Sequence, residues 1–344
     1  MPKNQHILII RLSAMGDVAM TVPVISAFIN QHPTCRVTVL SKAFFHPLFK
    51  DLPNVAFYAA DVKGKHKGLR GLYRLSTELK SLGITHIADF HQVLRSKILR
   101  MLLSKSAISV AVINKGRKEK RALTRKKNAV RKQLKTTHQR YADVLGALGF
   151  PTAISHPQPL EKTPLPKHLN DWLGIKDTPW IGIAPFAAYH GKMYPLDLMK
   201  EVMTTLSKDF KILLFGGGEK EIAILKTIEA TSDHIVNVAG RVSLEEELRI
   251  IAHLDIMLSM DSGNAHLAAM QHVKTVTLWG VTHPYAGFAP FNQPADYCIL
   301  PDLKQFPRVP SSIYGNVVFK GYENVMKTIA PDTVVQKIQS ILAE

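Results

Sequence analysis

Cysteine is scarce in this sequence, and it contains no long apolar run. Cys35 and Cys298 are the only two cysteines among 344 residues, and neither has a histidine at metal-ligand spacing. The sequence therefore provides no disulfide framework and no cysteine-based metal site. The apolar run at residues 7–10 is too short for a signal sequence or a membrane span, and Arg11 interrupts it. We expect a cytoplasmic protein with no bound metal.

Acidic residues are also few compared with basic ones. The chain contains 27 Asp and Glu against 44 Lys and Arg, which gives a formal charge of +17. This charge predicts an anionic partner: nucleic acid, a membrane surface or a phosphorylated substrate. Much of the excess lies in residues 115–135, which contain eleven basic residues and one acid. This run is either a surface for phosphate groups or a solvated loop.

Runs of strand-forming residues alternate with helical patterns along the whole chain. In the first half, strands are predicted at residues 6–12, 36–40, 55–59, 86–90 and 108–112, with helices at 69–82 and 95–103. In the second half, strands are predicted at 180–185, 211–215, 235–238, 256–260 and 275–278, with helices at 196–206, 219–230 and 244–252. This alternation predicts an α/β protein with mostly parallel sheets covered on both faces.

The length of the chain exceeds that of a typical single core, so we expect two domains. Five prolines between positions 151 and 166 predict a linker between them. The predicted domains are residues 1–160 and 161–325. Residues 326–344 follow as a C-terminal segment with a helix at 332–342.

Residues 256–266 read as a strand, a tight turn and a helix start. Asp261, Ser262 and Gly263 form the turn, where Ser262 is a candidate N-cap and Gly263 allows a ligand to approach the backbone. The free N–H groups of a first helical turn favour an anion such as a phosphate. His266, one turn later, could add a donor. The alternative is that Ser262 only caps the helix and His266 only packs.

Other polar candidates also follow predicted strands, whose carboxyl ends carry the ligand sites of such sheets. Asp17 follows a small-residue turn and is either a general base or a first-turn acid. Lys192 could hold a diphosphate, although a lone loop lysine is usually only solvated. Gly217 lies in a glycine turn that lacks the G-x-G-x-x-G spacing. Glu219 or Glu221 could hold ribose hydroxyls, or both could be first-turn acids.

A last group of candidates follows the strand predicted at 275–278. Gly280 and Thr282 should face the same crevice as the candidates above. His283 is either a substrate contact or a surface histidine.

Taken together, these motifs resemble glycosyltransferase family 9, the heptosyltransferases of lipopolysaccharide inner-core synthesis. The stretch I-L-I-I-R-L-S-A-M-G-D-V is similar to the family's opening strand and S-x-G-D turn. The stretch S-M-D-S-G-N-A-H-L-A-A resembles its D-[ST]-G-x-x-H signature, and L-W-G-V-T-H-P resembles its G-x-T-x-P motif. The resemblance extends from residue 7 to the final helix.

The resemblance implies a GT-B fold, in which two Rossmann-like, doubly wound domains face each other across a cleft. It implies that residues 1–160 bind the acceptor, that residues 161–325 bind the donor, and that residues 326–344 pack back on the N-terminal domain. The implied reaction is inverting, metal-independent transfer of a sugar, usually heptose from ADP-heptose. The nucleotide-sugar is a substrate, so no cofactor is expected.

The resemblance also assigns roles to residues. Asp17 matches the proposed catalytic base, and Lys192 matches the lysine on the donor phosphates. The donor site is expected to comprise Lys192, Gly217, Glu219, Asp261, Ser262, Gly263 and His266. The acceptor site is expected to comprise Ser13, Gly16, Lys115, Arg117 and Lys118.

The expected partners are a nucleotide-sugar, a phosphorylated lipid A core and the anionic inner face of the inner membrane, where the protein would be peripheral. Some positions depart from the family pattern: Ser262 replaces a common Thr, Met193 and Tyr194 follow the lysine where a Trp is usual, and Val325-Met326 replaces a common Cys-Met.

Two alternatives come from other classes of protein. A nucleotide-sugar epimerase has the same fold and uses a donor crevice without an acceptor. A nucleic-acid-binding protein would explain the charge, but the basic run has no interleaved aromatic residue before Tyr141 and no recognisable binding motif. We therefore expect no nucleic acid among the partners.

Overall fold

The structure is a computed structural model, and it describes residues 5–104, 108–127, 129–155 and 162–344. The chain divides into two units. Unit 1 comprises Met1–Lys115 and Thr137–Gln158, and unit 2 comprises Gly116–Thr136 and Pro159–Glu344. Each unit contains a parallel sheet with helices between its strands. The predicted α/β class with two Rossmann-like domains is confirmed.

The sheet of unit 1 has the strand order β3-β2-β1-β4-β5, and its described strand pairs are all parallel. The strands are β1 (His6–Ile10), β2 (Arg36–Ser41), β3 (Val55–Ala59), β4 (His86–Asp89) and β5 (Ser109–Val112). β1 is buried along its whole length, as expected for a continuous apolar run covered on both faces. Because strand order reverses between β1 and β4, the carboxyl ends of these two strands form the topological switch point of unit 1.

The sheet of unit 2 has the order β11-β10-β9-β6-β7-β8 and is also parallel throughout the described pairs. Its strands are β6 (Trp180–Ala184), β7 (Lys211–Leu214), β8 (Ile235–Asn237), β9 (Ile256–Met260), β10 (Lys274–Leu278) and β11 (Cys298–Ile299). The order reverses between β6 and β9. The switch point of unit 2 therefore lies at the carboxyl ends of β6 and β9.

The described ranges contain twelve α-helices: α1 (Met15–Ala19), α2 (Thr21–Gln31), α3 (Gly68–Lys80), α4 (Leu94–Leu103), α5 (Arg117–Leu123), α6 (Thr137–Ala147), α7 (Lys167–Leu173), α8 (Leu196–Leu206), α9 (Glu219–Glu229), α10 (Leu244–Ala252), α11 (Gly263–Met270) and α12 (Pro331–Leu342). Short 3-10 helices occur at Ala43–Leu48, His190–Lys192, Pro284–Ala286, Ala295–Tyr297 and Val325–Thr328. β3, β9, α8 and α10 have the predicted bounds. Four elements were not predicted from the sequence: α5, α6, α7 and the two-residue β11. They have weak apolar periodicity or are very short.

Residues 116–136, here called the basic arm, belong to unit 2. The predicted boundary had placed them in the N-terminal domain. Leu123 and Leu134 share an apolar cluster with Ala286. The N–H of Leu134 donates to the carbonyl of Tyr285 at 3.0 Å, and Lys120 lies over the ring of Phe288, 3.8 Å from its centroid. These partners lie far away in sequence, so linear pattern reading assigned the arm to the wrong domain. Part of the predicted linker, residues 156–161, lies outside the described residues.

The C-terminal segment contributes its helix to the core of unit 2. The apolar face of α12 consists of Val334, Val335, Ile338 and Ile341, and all four are buried in the core of unit 2. There the helix packs against α8 and β9. The apolar face thus serves the core of its own unit.

Candidate functional site

Asp17 lies at the switch point of unit 1, in the first turn of α1. Its carboxylate pairs with the guanidinium of Arg11 and accepts the N–H of Ala14 at 3.4 Å. The side chain is 32% exposed, so solvent or a substrate can reach it. Ser13 and Gly16 are half-buried in the same turn, and the structure brings them together with Asp17 as predicted.

Arg11 pairs with Asp17 from the buried side of the turn, a role that was not predicted from the sequence. The guanidinium is almost fully buried and donates to the carbonyl of Phe90 at 2.8 Å, while the Arg11 carbonyl accepts the hydroxyl of Ser41 at 2.6 Å. Arg11 therefore joins the ends of β1, β2 and β4. The signal that could have found it was a lone cation directly after an apolar strand.

Tyr141 of α6 supports the same turn from behind. Its hydroxyl donates to the carbonyl of Asp17 at 3.2 Å, and its ring stacks on Phe90 with centroids 4.5 Å apart. Complete burial raises the pKa of Tyr141 well above its ordinary value, so the phenol remains a proton donor.

The turn after β4 forms the other side of this switch point. Asp89 is fully buried, and its Oδ1 accepts the N–H groups of His91 at 2.9 Å and Gln92 at 2.8 Å. Its Oδ2 accepts the hydroxyl of Ser96 at 2.9 Å and pairs with Arg100 at 2.8 Å. Asp89 is thus a structural anchor for the turn. The strand was predicted from the sequence, but the role of the polar residues at its end was not.

At the switch point of unit 2, Lys192 and Asp261, two of the predicted donor-site residues, form an ion pair. Lys192 Nζ lies 2.9 Å from Asp261 Oδ2, and the side chains are 14% and 7% exposed. The hydroxyl of Thr282 donates to the same oxygen at 2.9 Å. Segments that follow β6, β9 and β10 therefore meet at one carboxylate. The expectation that Thr282 faces this crevice is confirmed.

Gly315 fixes the path of the Lys192 side chain and was not found in the sequence. A Cβ on Gly315 would lie 2.4 Å from both Cγ and Cδ of Lys192, and the residue has a φ of +85°. Only glycine accepts this backbone and this contact together. Because Gly315 lies in an irregular segment far from any motif, the sequence contained no signal for it.

The turn from β9 into α11 is present, but Ser262 does not cap the helix with its hydroxyl. Ser262 occupies the N-cap position without a side-chain cap bond, and its Oγ lies 3.0 Å from Oγ of Ser259. Gly263 is the first residue of α11, and its N–H and those that follow point to the N-terminal end of the helix. His266 is buried within α11. An anion beside Asp261 could use these backbone donors.

In the glycine turn after β7, the carboxylate that accepts a backbone N–H is that of Glu221 rather than that of Glu219. Glu221 Oε2 accepts the N–H of Gly217 at 2.8 Å, and Gly218 has a φ of +84°. Glu219 is the first residue of α9 and is exposed, as is Gly217. The structure does not bring Gly217 or Glu219 into contact with the Lys192–Asp261 pair.

A cavity of about 670 Å³ opens beside the Lys192 loop within unit 2. Its walls include Phe186, Met193 and Tyr194 from the segment after β6, Glu221 from α9, and Val325 from the 3-10 helix before α12. Its size suits a nucleotide-sugar or part of one.

His283 is buried in the structure and is not a surface residue. Its Nδ1 accepts the N–H of Tyr285 at 3.1 Å. Burial, followed by the positive charge of Arg131, lowers the pKa of His283 to about 4. The ring is therefore neutral near pH 7.

The predicted acceptor-site cations do not lie in one unit. Lys115 ends unit 1, whereas Arg117 and Lys118 begin α5 in unit 2, where both are exposed. Within the described residues of the basic arm, nine basic side chains are exposed: Arg117, Lys118, Arg121, Arg125, Lys126, Lys127, Arg131, Lys132 and Lys135. The arm is a packed segment with an outward basic face.

In the described part of the chain, no three His, Cys, Asp or Glu side chains gather as metal ligands do. Among its helices, none is both long and apolar enough to cross a bilayer.

Two parallel-sheet, Rossmann-like units with charged side chains at their switch points are the architecture of the GT-B fold class. The family model described as Glycosyltransferase family 9 (heptosyltransferase) matches residues 83–311, which is more than half of the chain. The chain therefore belongs to glycosyltransferase family 9 and is a glycosyltransferase, and the resemblance drawn from the motifs is confirmed.

Individual relatives agree with this assignment. The chain is 22% identical to the lipopolysaccharide core heptosyltransferase OpsX of Haemophilus influenzae, over 99% of this chain and 97% of that protein. A family 9 glycosyl transferase from Veillonella parvula superimposes with a TM-score of 0.79 at 16% identity, covering 100% of this chain and 98% of that one. The ADP-heptose heptosyltransferase II of E. coli gives 0.69 at 18% identity, covering 98% and 99%. These two structures establish the shared fold.

Proposed function

We propose that this glycosyltransferase transfers heptose from ADP-heptose to a lipopolysaccharide inner-core acceptor, with inversion and without a metal ion. Family membership and the heptosyltransferase names of the relatives support the sugar and the acceptor class. The observation that carries the proposal is the Lys192–Asp261 pair at the start of α11. It puts a cation, a hydroxyl from Thr282 and open helix amides around one point, which suits a sugar diphosphate.

In the proposed reaction, Asp17 removes the proton from an acceptor hydroxyl, and the oxygen attacks the anomeric carbon of the donor. The bond from that carbon to the diphosphate oxygen breaks, and ADP leaves from the opposite face. Lys192 and the first N–H groups of α11 stabilise the charge that develops on the leaving diphosphate. Asp17 then returns its proton to solvent. Arg11 orients the carboxylate throughout.

The basic arm is proposed to face the anionic membrane that displays the acceptor. Its nine exposed cations give it the charge that such a surface attracts, each contributing on the order of 1 kcal/mol near anionic lipid. Peripheral binding at the inner face of the inner membrane follows from this proposal.

Replacing Asp17 with Asn tests the assignment of the base. Asp17→Asn keeps the size of the side chain but removes its basicity, so kcat should fall by about 100-fold or more while the Kd for ADP-heptose stays the same. Transfer is measured with ADP-heptose and a purified inner-core acceptor, and NMR of the product reports the anomeric configuration.

The matched control is Asp51→Asn, an exposed carboxylate of the same unit, which should leave kcat unchanged. Full activity of Asp17→Asn with unchanged donor binding would remove Asp17 as the base. An epimerised donor without transfer by the wild-type protein would overturn the proposed function itself, as would activity that is lost with EDTA and restored by a divalent ion.

A further inference from the structure

The turn after β4 is held in a strained conformation by buried groups. Gln92 has a φ of +48°, a left-handed value that costs energy for a residue with a side chain. The turn keeps this shape because Asp89 binds the N–H groups of both His91 and Gln92. Such strain persists only where the surroundings impose it, and it concentrates at functional sites.

Gln92 also has an unsatisfied polar atom. Its side-chain Oε1 is buried and has no hydrogen-bond partner among the described residues. A buried acceptor without a donor is costly, and such atoms are rare in folded proteins. This turn therefore retains hydrogen-bonding capacity that its own unit does not use.

His91 is the second such group in the turn. The ring is 7% exposed, and its Nδ1 accepts the N–H of Leu12 across a long contact of 3.4 Å. Because a backbone N–H can only donate, the proton of the neutral ring lies on Nε2. In the described part of unit 1, no hydrogen-bond partner is found for that Nε2–H.

The charge state of His91 follows from its surroundings. Burial, together with the positive charges of Arg11 and Lys115, lowers its pKa to about 4 against the opposing charges of Asp89 and Asp17. His91 is therefore a neutral donor at physiological pH. Its bond to Leu12 also joins it to the segment that leads into Asp17.

His6 shows how a purely structural histidine of the same sheet is arranged. Its Nδ1 lies 2.9 Å from the Leu82 carbonyl and its Nε2 lies 2.8 Å from Oγ1 of Thr38. Both nitrogens are satisfied, and the residue lies at the amino end of β1. His91 differs, because its Nδ1 accepts a hydrogen bond while its Nε2–H has no partner in the described part of unit 1. It also lies at the carboxyl edge of the sheet.

We propose that His91 is an acceptor-binding residue, whose Nε2–H donates a hydrogen bond to an oxygen of the acceptor glycan and positions its hydroxyl beside Asp17. The inference rests on the proposed role of unit 1 as the acceptor-binding unit. The turn held by Asp89 thus contains a donor from His91 and an unpartnered acceptor from Gln92, and polar groups of these two kinds suit the hydroxyls of a sugar.

The experiment compares His91→Phe with His91→Gln. The phenyl ring keeps the volume but removes both nitrogens, so the kcat/KM for the acceptor should fall by about tenfold, as expected for one lost hydrogen bond. His91→Gln restores an N–H donor at a similar reach and should recover most of the loss. The ratio of wild type to His91→Phe should stay constant between pH 6 and pH 8, because a neutral donor does not titrate there.

His6→Phe is the matched control, since it makes the same substitution at a buried histidine away from this edge. It should lower the melting temperature and leave the acceptor KM unchanged. A further measurement is the slow hydrolysis of ADP-heptose without acceptor, in which water replaces the glycan. His91→Phe should slow this hydrolysis much less than it slows transfer to the acceptor.

The outcomes separate the inference from the proposed function. If the wild type transfers sugar and His91→Phe keeps the wild-type acceptor kcat/KM, His91 does not bind the acceptor. The same conclusion follows if His91→Phe slows donor hydrolysis as much as transfer, or if His91→Gln gives no recovery. If the wild type itself transfers nothing from ADP-heptose, the proposed function fails, whatever the variants show.

Discussion

The Lys192–Asp261 pair illustrates how a single contact can point to function rather than to stability. Both side chains are largely buried, so removing them from water costs free energy that their attraction barely returns. Apolar residues of the same volume would serve the core at least as well. We infer that the pair is kept because an anionic ligand uses Lys192.

Glu247 is another residue whose charged form is disfavoured by burial. It lies in the first turn of α10, and burial raises its pKa to about 7. A carboxyl whose folded-state pKa lies above its unfolded value adds stability that is complete below the unfolded pKa and is lost as pH rises through the folded pKa. The free energy of unfolding should therefore decline between about pH 5 and pH 8 because of this residue.

Replacing Glu247 with Gln removes this pH dependence. We expect Glu247→Gln to raise the free energy of unfolding at pH 8 by about 1–2 kcal/mol and to change little at pH 5. Urea unfolding at the two pH values measures the difference.

The neighbouring Glu246 is the control, since its pKa is lowered by hydrogen bonds from Ser243 and by His168. Glu246→Gln should destabilise the protein at pH 8 and less so as the pH falls. Equal effects of the two substitutions at pH 8 would contradict the assignment.

At the scale of elements, the loops that leave β6, β9 and β10 meet at the Lys192–Asp261 pair, and residues outside the motifs help to position them. The clearest case is Gly315, over which the stem of Lys192 passes. Ser311 and Ser312 hold this segment in place, because their N–H groups donate to the carbonyl of Val281 at 2.9 and 3.2 Å.

A Gly315→Ala substitution should weaken nucleotide binding. The added Cβ would displace Cγ and Cδ of Lys192 and so withdraw its ammonium group from Asp261. Isothermal titration with ADP should show a Kd increase of about tenfold, the size expected for one lost charge-assisted bond.

Gly321→Ala is the control for this experiment. Gly321 has the same φ of +85°, but nothing lies within 4 Å of its added Cβ. It should cost similar backbone strain without changing the Kd. Equal Kd values for the two variants would show that the Lys192 contact does not matter for ADP.

At the scale of the whole molecule, the charge of +17 is unevenly placed. The basic arm carries nine exposed cations and is fixed on unit 2 by Leu123, Leu134 and the contact between Lys120 and Phe288. A cation over an aromatic ring, together with an apolar cluster, anchors the arm to unit 2.

Neutralising part of this surface should weaken membrane binding. The triple variant Arg125→Gln, Lys126→Gln and Lys127→Gln should reduce co-sedimentation with vesicles containing about one third anionic lipid, and added salt should reduce binding by the wild type. Vesicles of neutral lipid should bind neither protein.

The control variant removes the same charge elsewhere in unit 2, through Lys200→Gln, Lys208→Gln and Lys226→Gln, all at exposed positions. It should bind anionic vesicles as the wild type does. Equal losses in the two triple variants would mean that net charge alone, rather than the arm, governs binding.

The sequence alone determined the α/β class, ten of the eleven described strands and the location of Asp17, Lys192 and Asp261 after strands. Those features follow from local periodicity and from the rule that ligands bind at the carboxyl ends of parallel strands. The family motifs belong to the same local information, so the sequence alone indicates the family.

Only the tertiary structure decided which distant residues complete each site. Arg11, Tyr141 and Asp89 act on the Asp17 side, and Gly315 acts on Lys192, through contacts that join positions remote in sequence. The contacts that the basic arm and α12 make within unit 2 were decided in the same way. A linear pattern shows that a face is apolar or charged, but which surface covers it depends on how the whole chain packs.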